Sequence, residues 1–505
     1  MGARTVNEDS ERKIVSEDEK TLLRLGYTQE LARRMDGFSN YAISLSIICI
    51  LAGGITSFQV GFCSVGGASI GLGWPLVCAF SLVVALTMGQ VASAFPTAGG
   101  LYHWASILGG KGWGWVTAWF NLVGLITALA AINAGAYDFM VGAFNLPVGQ
   151  HAREFKIVGL LAITLSQAAF NHKGIRVTTR LTDFSGYLIL IFAVLLTAAM
   201  LCYSPHLNLE RLVHFTNYSG IPATDPVFPH NRSMVWLFAL GFLLPAYTIT
   251  GFDASAHISE ETIDAAKNVP RGIVRSVLVS GLFGWLMLCA IVLAIPNMDE
   301  AASKGGDVFY WIMKTVLPGP LSIFLLVGIA LAQYLCGLAT VTSASRMMFA
   351  FARDGGLPVS RLLRQVSERS RTPSIAIWTV AVVALLFTAL LPYTTVAAVC
   401  AVFLYISYVL PAAAGFLAHG RTWIKMGPWH LGHWYRPLAA LAVLGCVGLI
   451  IIGMQPPNQQ AVWIVGGGAL AMAATWFGWE RHRFTGPPTM LPNEIKELNS
   501  VYDSK

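Results

Sequence analysis

Long apolar runs separated by short polar loops are the feature that most limits what this sequence can fold into. About twelve of the runs reach the roughly 20 residues that an α-helix needs to cross a bilayer. Only 12% of the 505 residues are charged, against about 25% in soluble domains. Because lipid offers the backbone no hydrogen-bond partner, such runs must be helical. The sequence therefore predicts an all-α integral membrane protein of about twelve transmembrane helices, embedded in a lipid bilayer.

Charge in the loops predicts the orientation of the chain. Lys and Arg concentrate in the even-numbered loops, which by the positive-inside rule face the cytoplasm. Both termini would then be cytoplasmic, and we expect a multi-pass protein of the cell membrane. The basic residues are scattered through short loops, so no nucleic-acid partner is expected. None of the eight cysteines forms a CxxC pair, so neither a metal site nor a disulfide framework is predicted.

Flexible residues interrupt the first predicted span. The interruption is formed by Ala52, Gly53, Gly54, Ile55 and Thr56. Adjacent glycines allow a helix to open, and the N–H groups at the start of the continuing half-helix then attract an anion such as a substrate carboxylate. Close helix packing is the alternative explanation for a glycine pair in a membrane helix.

A second interruption lies in the sixth predicted span, after a proline at position 245. The candidate binding residues there are Tyr247, Thr248, Thr250, Gly251, Phe252 and Asp253. Carbonyl groups at the end of the first half-helix can hold an ammonium group, and aromatic rings can face a cation. Asp253 is an acid within a span, which is typical of a functional site, although it could also cap the second half-helix.

Interruptions at matching positions, five spans apart, favour a substrate site at the membrane midplane over simple packing. They also indicate two inverted repeats. The predicted divisions are a cytoplasmic N-terminal tail (1–36), a first repeat of spans 1–5 (37–203), an extracellular loop (204–233), a second repeat of spans 6–10 (234–420), spans 11 and 12 (421–480) and a cytoplasmic C-terminal tail (481–505).

Four sequence motifs resemble those of one transporter group, the amino acid–polyamine–organocation superfamily. They are Ala94-Phe95-Pro96-Thr97-Ala98-Gly99-Gly100-Leu101-Tyr102-His103-Trp104 after span 2, Gly251-Phe252-Asp253 in span 6, Glu260-Glu261 followed by Asn268-Val269-Pro270-Arg271-Gly272-Ile273, and Ser345-Arg346 followed by Ala352-Arg353-Asp354-Gly355-Gly356-Leu357-Pro358 at the end of span 8. The motifs occur in order and cover spans 1–10. Gly53-Gly54-Ile55-Thr56 is most similar to the amino acid/choline transporter branch, which includes γ-aminobutyrate and choline permeases.

The resemblance implies a LeuT-type fold, with a 5+5 inverted repeat, discontinuous helices 1 and 6 and two appended helices. It implies a secondary active transporter of amino acids or related small amines, such as γ-aminobutyrate or choline, which works by alternating access. A channel or a transporter-like substrate sensor is the alternative. An enzyme is not expected, because the spans hold only isolated acids. No organic cofactor is implied, and the oligomeric state stays open between monomer and homodimer.

The resemblance also suggests roles for residues outside the interruptions. Tyr137 and Tyr405 are candidates for the pocket wall, with an interface or core position as the alternative for tyrosines at helical spacing. The candidates for ion pairs at an inner gate are Glu260, Glu261, Arg271, Arg346 and Arg353, with ordinary solvated loop charges as the alternative. A sodium site of the LeuT type would use hydroxyl groups of span 8, for which Thr342 and Ser343 are candidates. Span 5 contains no lysine in its predicted bounds. The coupling ion therefore stays open between H⁺ and Na⁺.

Overall fold

The computed structural model describes residues 16–147, 149–204, 207–391 and 393–488 of the chain. Within these ranges it is built from helices and contains no β-strand. Nine helices of the described residues are long and apolar enough to cross a membrane, and two shorter apolar helices, Met234–Thr248 and Ser374–Leu390, accompany them. Ala152–His172, with 21 residues, completes a set of twelve spans in this part of the chain. The predicted all-α membrane fold is confirmed.

We number the spans α1 to α12. Their bounds are α1a Gly37–Ile48, α1b Gly53–Thr56 with its continuation Phe58–Val65, α2 Trp74–Ala94, α3 Lys111–Phe144, α4 Ala152–His172, α5 Ile175–Cys202, α6a Met234–Gly241 with its continuation Leu243–Thr248, α6b Ala254–His257, α7 Ala265–Ala294, α8 Gly319–Arg353, α9 Ser374–Leu390, α10 Tyr393–Ala418, α11 Tyr435–Gly453 and α12 Gln459–Thr475. Short helices outside the spans include Glu17–Arg24, Leu101–Gly109, Met298–Ala302, Val308–Val316 and Ser360–Leu363.

Local sequence sets where several spans begin. The carboxylate of Asp36 accepts a hydrogen bond from the N–H of Ser39 at 2.8 Å and so caps α1a. The hydroxyl of Ser233 caps α6a by accepting from the N–H of Trp236 at 3.3 Å. Side-chain acceptors of this kind satisfy N–H groups that a helix leaves unpaired in its first turn. In α2 and α8 a proline occupies the first turn, where its missing N–H costs nothing.

The spans pack as a bundle around α3 and α7. α3 contacts α8 and α10, and α7 contacts α1a and α2. The last span, α12, lies at the edge of the bundle, where Trp463 is 81% exposed and Leu470 is 74% exposed. Large apolar side chains that stand free on a protein surface indicate contact with a membrane. The outer surface of the bundle therefore suits lipid.

Both described ends of the chain lie at one face of the bundle, which we call the terminal face. Gly26 of the N-terminal segment lies beside Pro488, close to the last described residue. The ring of Phe484 lies 6.0 Å from that of Phe351 near the end of α8. The opposite face carries the loop that connects α5 to α6a. An even number of spans between the two ends accounts for this arrangement.

Candidate substrate site

The two interrupted spans meet in the middle of the bundle. α1a ends at Ile48 and the helix resumes at Gly53, while α6a ends at Thr248 and α6b begins only at Ala254. A side chain at position 53 would come within 3.0 Å of the Cα atom of Thr248, so the two breaks are in direct contact. The predicted discontinuities of helices 1 and 6 are confirmed.

The breaks leave backbone groups available. Among the described residues, no hydrogen-bond partner is found for the N–H groups of Gly54 and Ile55 or for the carbonyl groups of Thr248 and Ile249. The N–H groups belong to the start of α1b, where a helix carries partial positive charge, and the carbonyl groups end α6a, where the charge is negative. One break can therefore hold an anion and the other a cation.

A cavity with a volume of about 30 Å³ lies between the breaks. Its wall is formed by Ile47, Ile48, Ala52, Gly53 and Thr56 of span 1, Leu125, Ala128, Ala131, Ile132 and Gly135 of α3, Tyr247, Thr248, Thr250 and Gly251 of span 6, Gln333 and Cys336 of α8, and Cys400 and Leu404 of α10. The wall is thus drawn from five spans, 1, 3, 6, 8 and 10. The cavity has room for only a few water molecules, so in this state the site is nearly closed.

Gln333 is the most polar side chain in the cavity wall, and it lies on α8. It is 1% exposed, yet neither its amide nitrogen nor its amide oxygen has a hydrogen-bond partner in the described part of the chain. A buried amide without partners costs free energy, because it has given up its bonds to water. Such a group is typical of a site that binds a polar ligand. The sequence alone did not identify Gln333, because one glutamine in a long apolar run carries no motif.

A larger cavity of about 410 Å³ opens toward the face opposite the termini. Its wall includes Asp225 and Phe228 of the loop before α6a and Asn458 at the start of α12. Thr56 and Tyr247 line both this vestibule and the small cavity. These two side chains therefore stand between the substrate site and the opposite face, where Tyr247 is in the position of a gate.

Ion pairs close the terminal face. The guanidinium group of Arg346 donates to both carboxylate oxygens of Glu261, at 2.9 and 3.1 Å, and both side chains are fully buried. The guanidinium group of Arg353 likewise donates to both carboxylate oxygens of Glu260, at 2.9 and 3.0 Å. Four of the five predicted gate charges are thus brought together in two pairs. Arg271 lies on the exposed surface of α7 and has no ion pair within the described residues.

The N-terminal segment reinforces this closure, which sequence reasoning missed. The backbone N–H groups of residues 34 and 35 donate to the carbonyl oxygen of Glu261 at 2.8 and 2.9 Å. Arg33 donates to the carbonyl oxygens of Ser259, at 3.1 Å, and of Thr262. The Asp18 carboxylate accepts from the two N–H groups at the start of α7, at 2.8 and 3.0 Å. The segment is therefore part of the closed terminal face and not a separate tail.

Asp354, just past the end of α8, joins the same closure. The hydroxyl groups of Tyr27 and Tyr102 each donate to its carboxyl group at 2.8 Å. Burial raises the pKa of Asp354, while Arg353 and the two hydroxyl donors oppose that rise. The ring of Tyr27 also lies 3.9 Å from the guanidinium carbon of Arg353, within the range of a cation–π contact.

Several predicted site residues lie outside the small cavity. A Cβ atom at position 54 would lie 3.8 Å from the side chains of Leu288 and Met287 of α7, and Ile55 is buried but does not line the cavity. The ring of Phe252 packs on Tyr408, and the hydroxyl of Tyr405 donates to the carbonyl of Ala246 at 3.2 Å. Tyr137 packs against Gly159 of α4. Asp253 is fully buried among polar side chains that lie toward the terminal face.

The two candidates for an ion site lie on the part of α8 nearer the terminal face. The hydroxyl of Thr342 donates to Asn171 of α4 at 2.7 Å and to the carbonyl of Leu338 at 3.2 Å. Ser343 is buried, and its hydroxyl has no hydrogen-bond partner within the ranges that the structure describes. Neither residue lines the small cavity. No group of three or more His, Cys, Asp or Glu side chains that could hold a metal ion occurs in the described residues.

Comparison with known proteins decides the family. Residues 36–476 match the family model described as amino acid permease. The chain belongs to the amino acid permease family. This permease is 31% identical to "Amino-acid permease BAT1" of Arabidopsis thaliana, over 94% of this chain and 97% of the relative. It is 28% identical to the "GABA-specific permease" of Saccharomyces cerevisiae, over 98% of this chain and 89% of the relative.

The family confirms the prediction made from the motifs. The permease is a multi-pass membrane protein that transports amino acids, and it is not an enzyme. "Amino-acid permease 2" of Neurospora crassa is a further relative, 27% identical over 94% of this chain and 90% of the relative. A small molecule is therefore its substrate and a bilayer its environment.

Proposed function

We propose that this permease carries a small amino acid, with γ-aminobutyrate as the first candidate, through the cavity between its two broken helices. The carboxylate would bind the free N–H groups at the start of α1b, and the ammonium group would bind the free carbonyl groups at the end of α6a. The observation that carries the proposal is Gln333, whose unpaired buried amide in the cavity wall can bond either group. The name of the yeast relative supports γ-aminobutyrate.

The cavity wall favours an amino acid over choline. Tyr247 is the one aromatic residue among the wall residues of the small cavity. Recognition of a quaternary ammonium group relies on several aromatic faces around the cation. The wall instead offers hydroxyl, amide and backbone groups, which suit a zwitterion.

We propose alternating access as the mechanism, with this structure close to the state that faces the vestibule. The vestibule is open, whereas two ion pairs and the N-terminal segment close the terminal face. To release substrate at the terminal face, Glu261 and Arg346 must separate while Tyr247 and Thr56 close the vestibule. We place the terminal face in the cytoplasm of a cell-membrane protein. One chain supplies the whole wall, so a single copy suffices as the transport unit.

Uptake into proteoliposomes tests the proposal. A panel of labelled amino acids, γ-aminobutyrate and choline would be measured with counterflow, because a carrier shows exchange and saturation whereas a channel does not. We expect γ-aminobutyrate or a similar small amino acid to exchange. If the wild type exchanges no amino acid of the panel but conducts ions, or binds amino acids without flux, the carrier proposal is wrong.

Two matched alanine variants test the position of the site. In Gly53→Ala the new Cβ atom would lie 3.0 Å from the Cα atom of Thr248, whereas in Gly468→Ala of α12, away from the site, it would find ordinary contacts at 3.6 and 4.0 Å. We expect uptake to fall about fivefold or more in Gly53→Ala, since close contact in a packed core costs about 1–3 kcal/mol, and to stay near the wild-type rate in Gly468→Ala. Equal uptake by both variants would place the substrate elsewhere.

A further variant tests Gln333. Gln333→Met keeps the side-chain volume and removes a buried amide that has no partner. Such a change stabilises the fold or leaves it unaffected, because the cost of burying the amide disappears. We expect an unchanged or raised unfolding temperature together with a raised KM. An unchanged KM would exclude a contact between Gln333 and the substrate.

A further inference from the structure

A buried acid–histidine pair lies between the break of span 6 and the terminal face. Asp253 and His257 are one helical turn apart, and both side chains are fully buried. The Nε2 atom of His257 lies 3.2 Å from Oδ2 of Asp253. Neither residue lines the small cavity. The pair is therefore distinct from the groups proposed to hold the substrate.

Both ring nitrogens of His257 face acceptors. Nδ1 lies 3.3 Å from the carbonyl oxygen of Ala98, and a carbonyl oxygen can only accept, so Nδ1 must carry a proton. Asp253 accepts from the hydroxyl of Tyr408 at 2.8 Å and from the amide nitrogen of Asn121 at 3.0 Å, as an ionised carboxylate does. Nε2 and Oδ2 therefore need a proton between them. The geometry fits an imidazolium of His257 beside the Asp253 carboxylate.

Loss of one proton would disrupt this arrangement. A neutral imidazole has one N–H only, so one of its nitrogen lone pairs would face an oxygen lone pair, at Asp253 or at Ala98. The carboxylate would also stay buried with no opposite charge beside it, which is costly in a low-dielectric interior. The closed terminal face therefore stabilises the protonated pair.

The charges around the pair are few, and most of them are themselves paired. The titratable groups beside it are Tyr408 and Cys400 from α10, and α3 contributes the amide of Asn121. Glu260 is connected to the ring of His257 through the backbone of Ala98, and it is paired with Arg353, as Glu261 is with Arg346. No other histidine contacts the pair within the described residues.

Hydrogen bonds connect the pair to the break of span 6 and to the ion pairs of the terminal face. On one side, the hydroxyl of Tyr408 accepts from the N–H of Gly251 in the break at 3.0 Å while it donates to Asp253. On the other side, the N–H of Ala98 donates to Glu260 of the gate at 3.1 Å while its carbonyl faces His257. A movement that separates Ala98 from Glu260 or from His257 would break one of these contacts.

We propose that Asp253 and His257 form a proton-binding site, occupied while the terminal face is closed and emptied when it opens. The inference rests on the alternating-access mechanism proposed above. When the Ala98 carbonyl withdraws, Nδ1–H loses its acceptor and water reaches the ring. One N–H bond of the imidazolium then breaks and the proton passes to water, with no other bond changed. Closure takes up one proton from the same side.

Hydrogen exchange as a function of pH tests the site without any substrate. The segment 95–104 reports gate opening through the amide of Ala98. In wild-type protein in lipid nanodiscs, between about pH 6 and 9, we expect the closed-to-open ratio to fall about tenfold per pH unit over part of the range, as one linked proton requires. In His257→Gln the ratio should be independent of pH. His172→Gln, at an exposed histidine of α4, is the control and should follow the wild type.

The outcomes separate this inference from the transport proposal. A His257→Gln protein that keeps the wild-type pH dependence overturns the proton site, even if counterflow is normal. Absent counterflow in the wild type overturns the transport proposal, while the gate titration can still be read. If His257→Gln does not fold, Asp253→Asn carries the same expectation. A wild-type gate that ignores pH over the whole range also overturns the inference.

Discussion

The buried ion pair between Glu261 and Arg346 should control how often the terminal face opens. Both side chains have no exposed area, and two hydrogen bonds of 2.9 and 3.1 Å join them. Arg346→Met removes the guanidinium group and leaves the Glu261 carboxylate buried without a partner. An uncompensated buried charge of this kind costs about 3–5 kcal/mol. That cost applies to the closed state, because water can reach Glu261 once the face opens.

The size of the effect follows from the same cost. Every 1.4 kcal/mol is a factor of about ten in an equilibrium, so a penalty of about 3–5 kcal/mol lowers the closed-to-open ratio by about a hundredfold to a thousandfold or more. Hydrogen exchange of the segment 95–104 measures this ratio, since the N–H of Ala98 is bonded to Glu260 in the closed gate. We expect exchange there to quicken by the same factor, until opening is complete.

A double variant distinguishes the effect of the unpaired buried charge from general damage to the packing. In Glu261→Met/Arg346→Met no buried charge remains, and replacing a whole buried pair by apolar residues is often neutral or stabilising. We expect slow exchange to return in the double variant, with uptake reduced because the gate now opens rarely. If Arg346→Met alone keeps wild-type exchange, the pair does not hold the gate closed, and the argument from burial is wrong.

Three further predictions concern stability around the bundle. His103 is buried with its Nδ1 atom 2.7 Å from the Thr97 hydroxyl, and burial lowers its pKa to about 3. The pKa of His103 in the unfolded chain is near 6.5, so the unfolded state binds more protons than the folded state below that pH. The free energy of unfolding should therefore fall as the pH drops, on the order of 2 kcal/mol by pH 5. The unfolding temperature of His103→Gln should depend less on pH over this range than that of the wild type, and an equal dependence would exclude a neutral buried histidine. Tyr27→Phe removes one of the two hydroxyl donors to Asp354 and should weaken terminal-face closure by about 1–3 kcal/mol. The N-terminal segment should then exchange its amide hydrogens faster. Unchanged exchange would mean that the hydrogen bond between Tyr27 and Asp354 is absent. Gly337→Ala places a Cβ atom against buried amide side chains of α3 and α4. This contact should lower the unfolding free energy by about 1–3 kcal/mol, measured by thermal unfolding. Full stability of the variant would show that these side chains can move apart.

The helical breaks could be predicted because their cause is local. Gly53 and Gly251 are small residues within apolar runs, and Gly251 has a φ of 84°, a left-handed angle that glycine adopts without strain. The spans could be predicted for the same reason, since length and apolarity are properties of a continuous segment. The pairing of Glu261 with Arg346 was accessible only through the family resemblance, because the residues are 85 positions apart.

The cavity wall could not be predicted in full, because residues of one type serve two purposes. Leu125, Ala128 and Ala131 of α3 line the cavity, yet similar residues elsewhere on α3 only pack against neighbours. A tyrosine gives an equally ambiguous signal: Tyr247 lines the cavity, while Tyr137 packs against α4. Whether a residue lines the cavity depends on the rotation of its helix about the helix axis, and packing partners set that rotation.

The two faces of the permease are closed by different chemistry, and this difference predicts its resting state. The terminal face joins two buried ion pairs with main-chain bonds from the N-terminal segment. The vestibule is narrowed by Tyr247 and Thr56, which are uncharged, and Asp225 is the one charged residue that lines it among the described residues. With no substrate bound, the terminal face therefore has more interactions to lose on opening than the opposite face. The empty permease should rest with its vestibule open, and substrate must supply the interactions that close Tyr247 over the site before the ion pairs can separate.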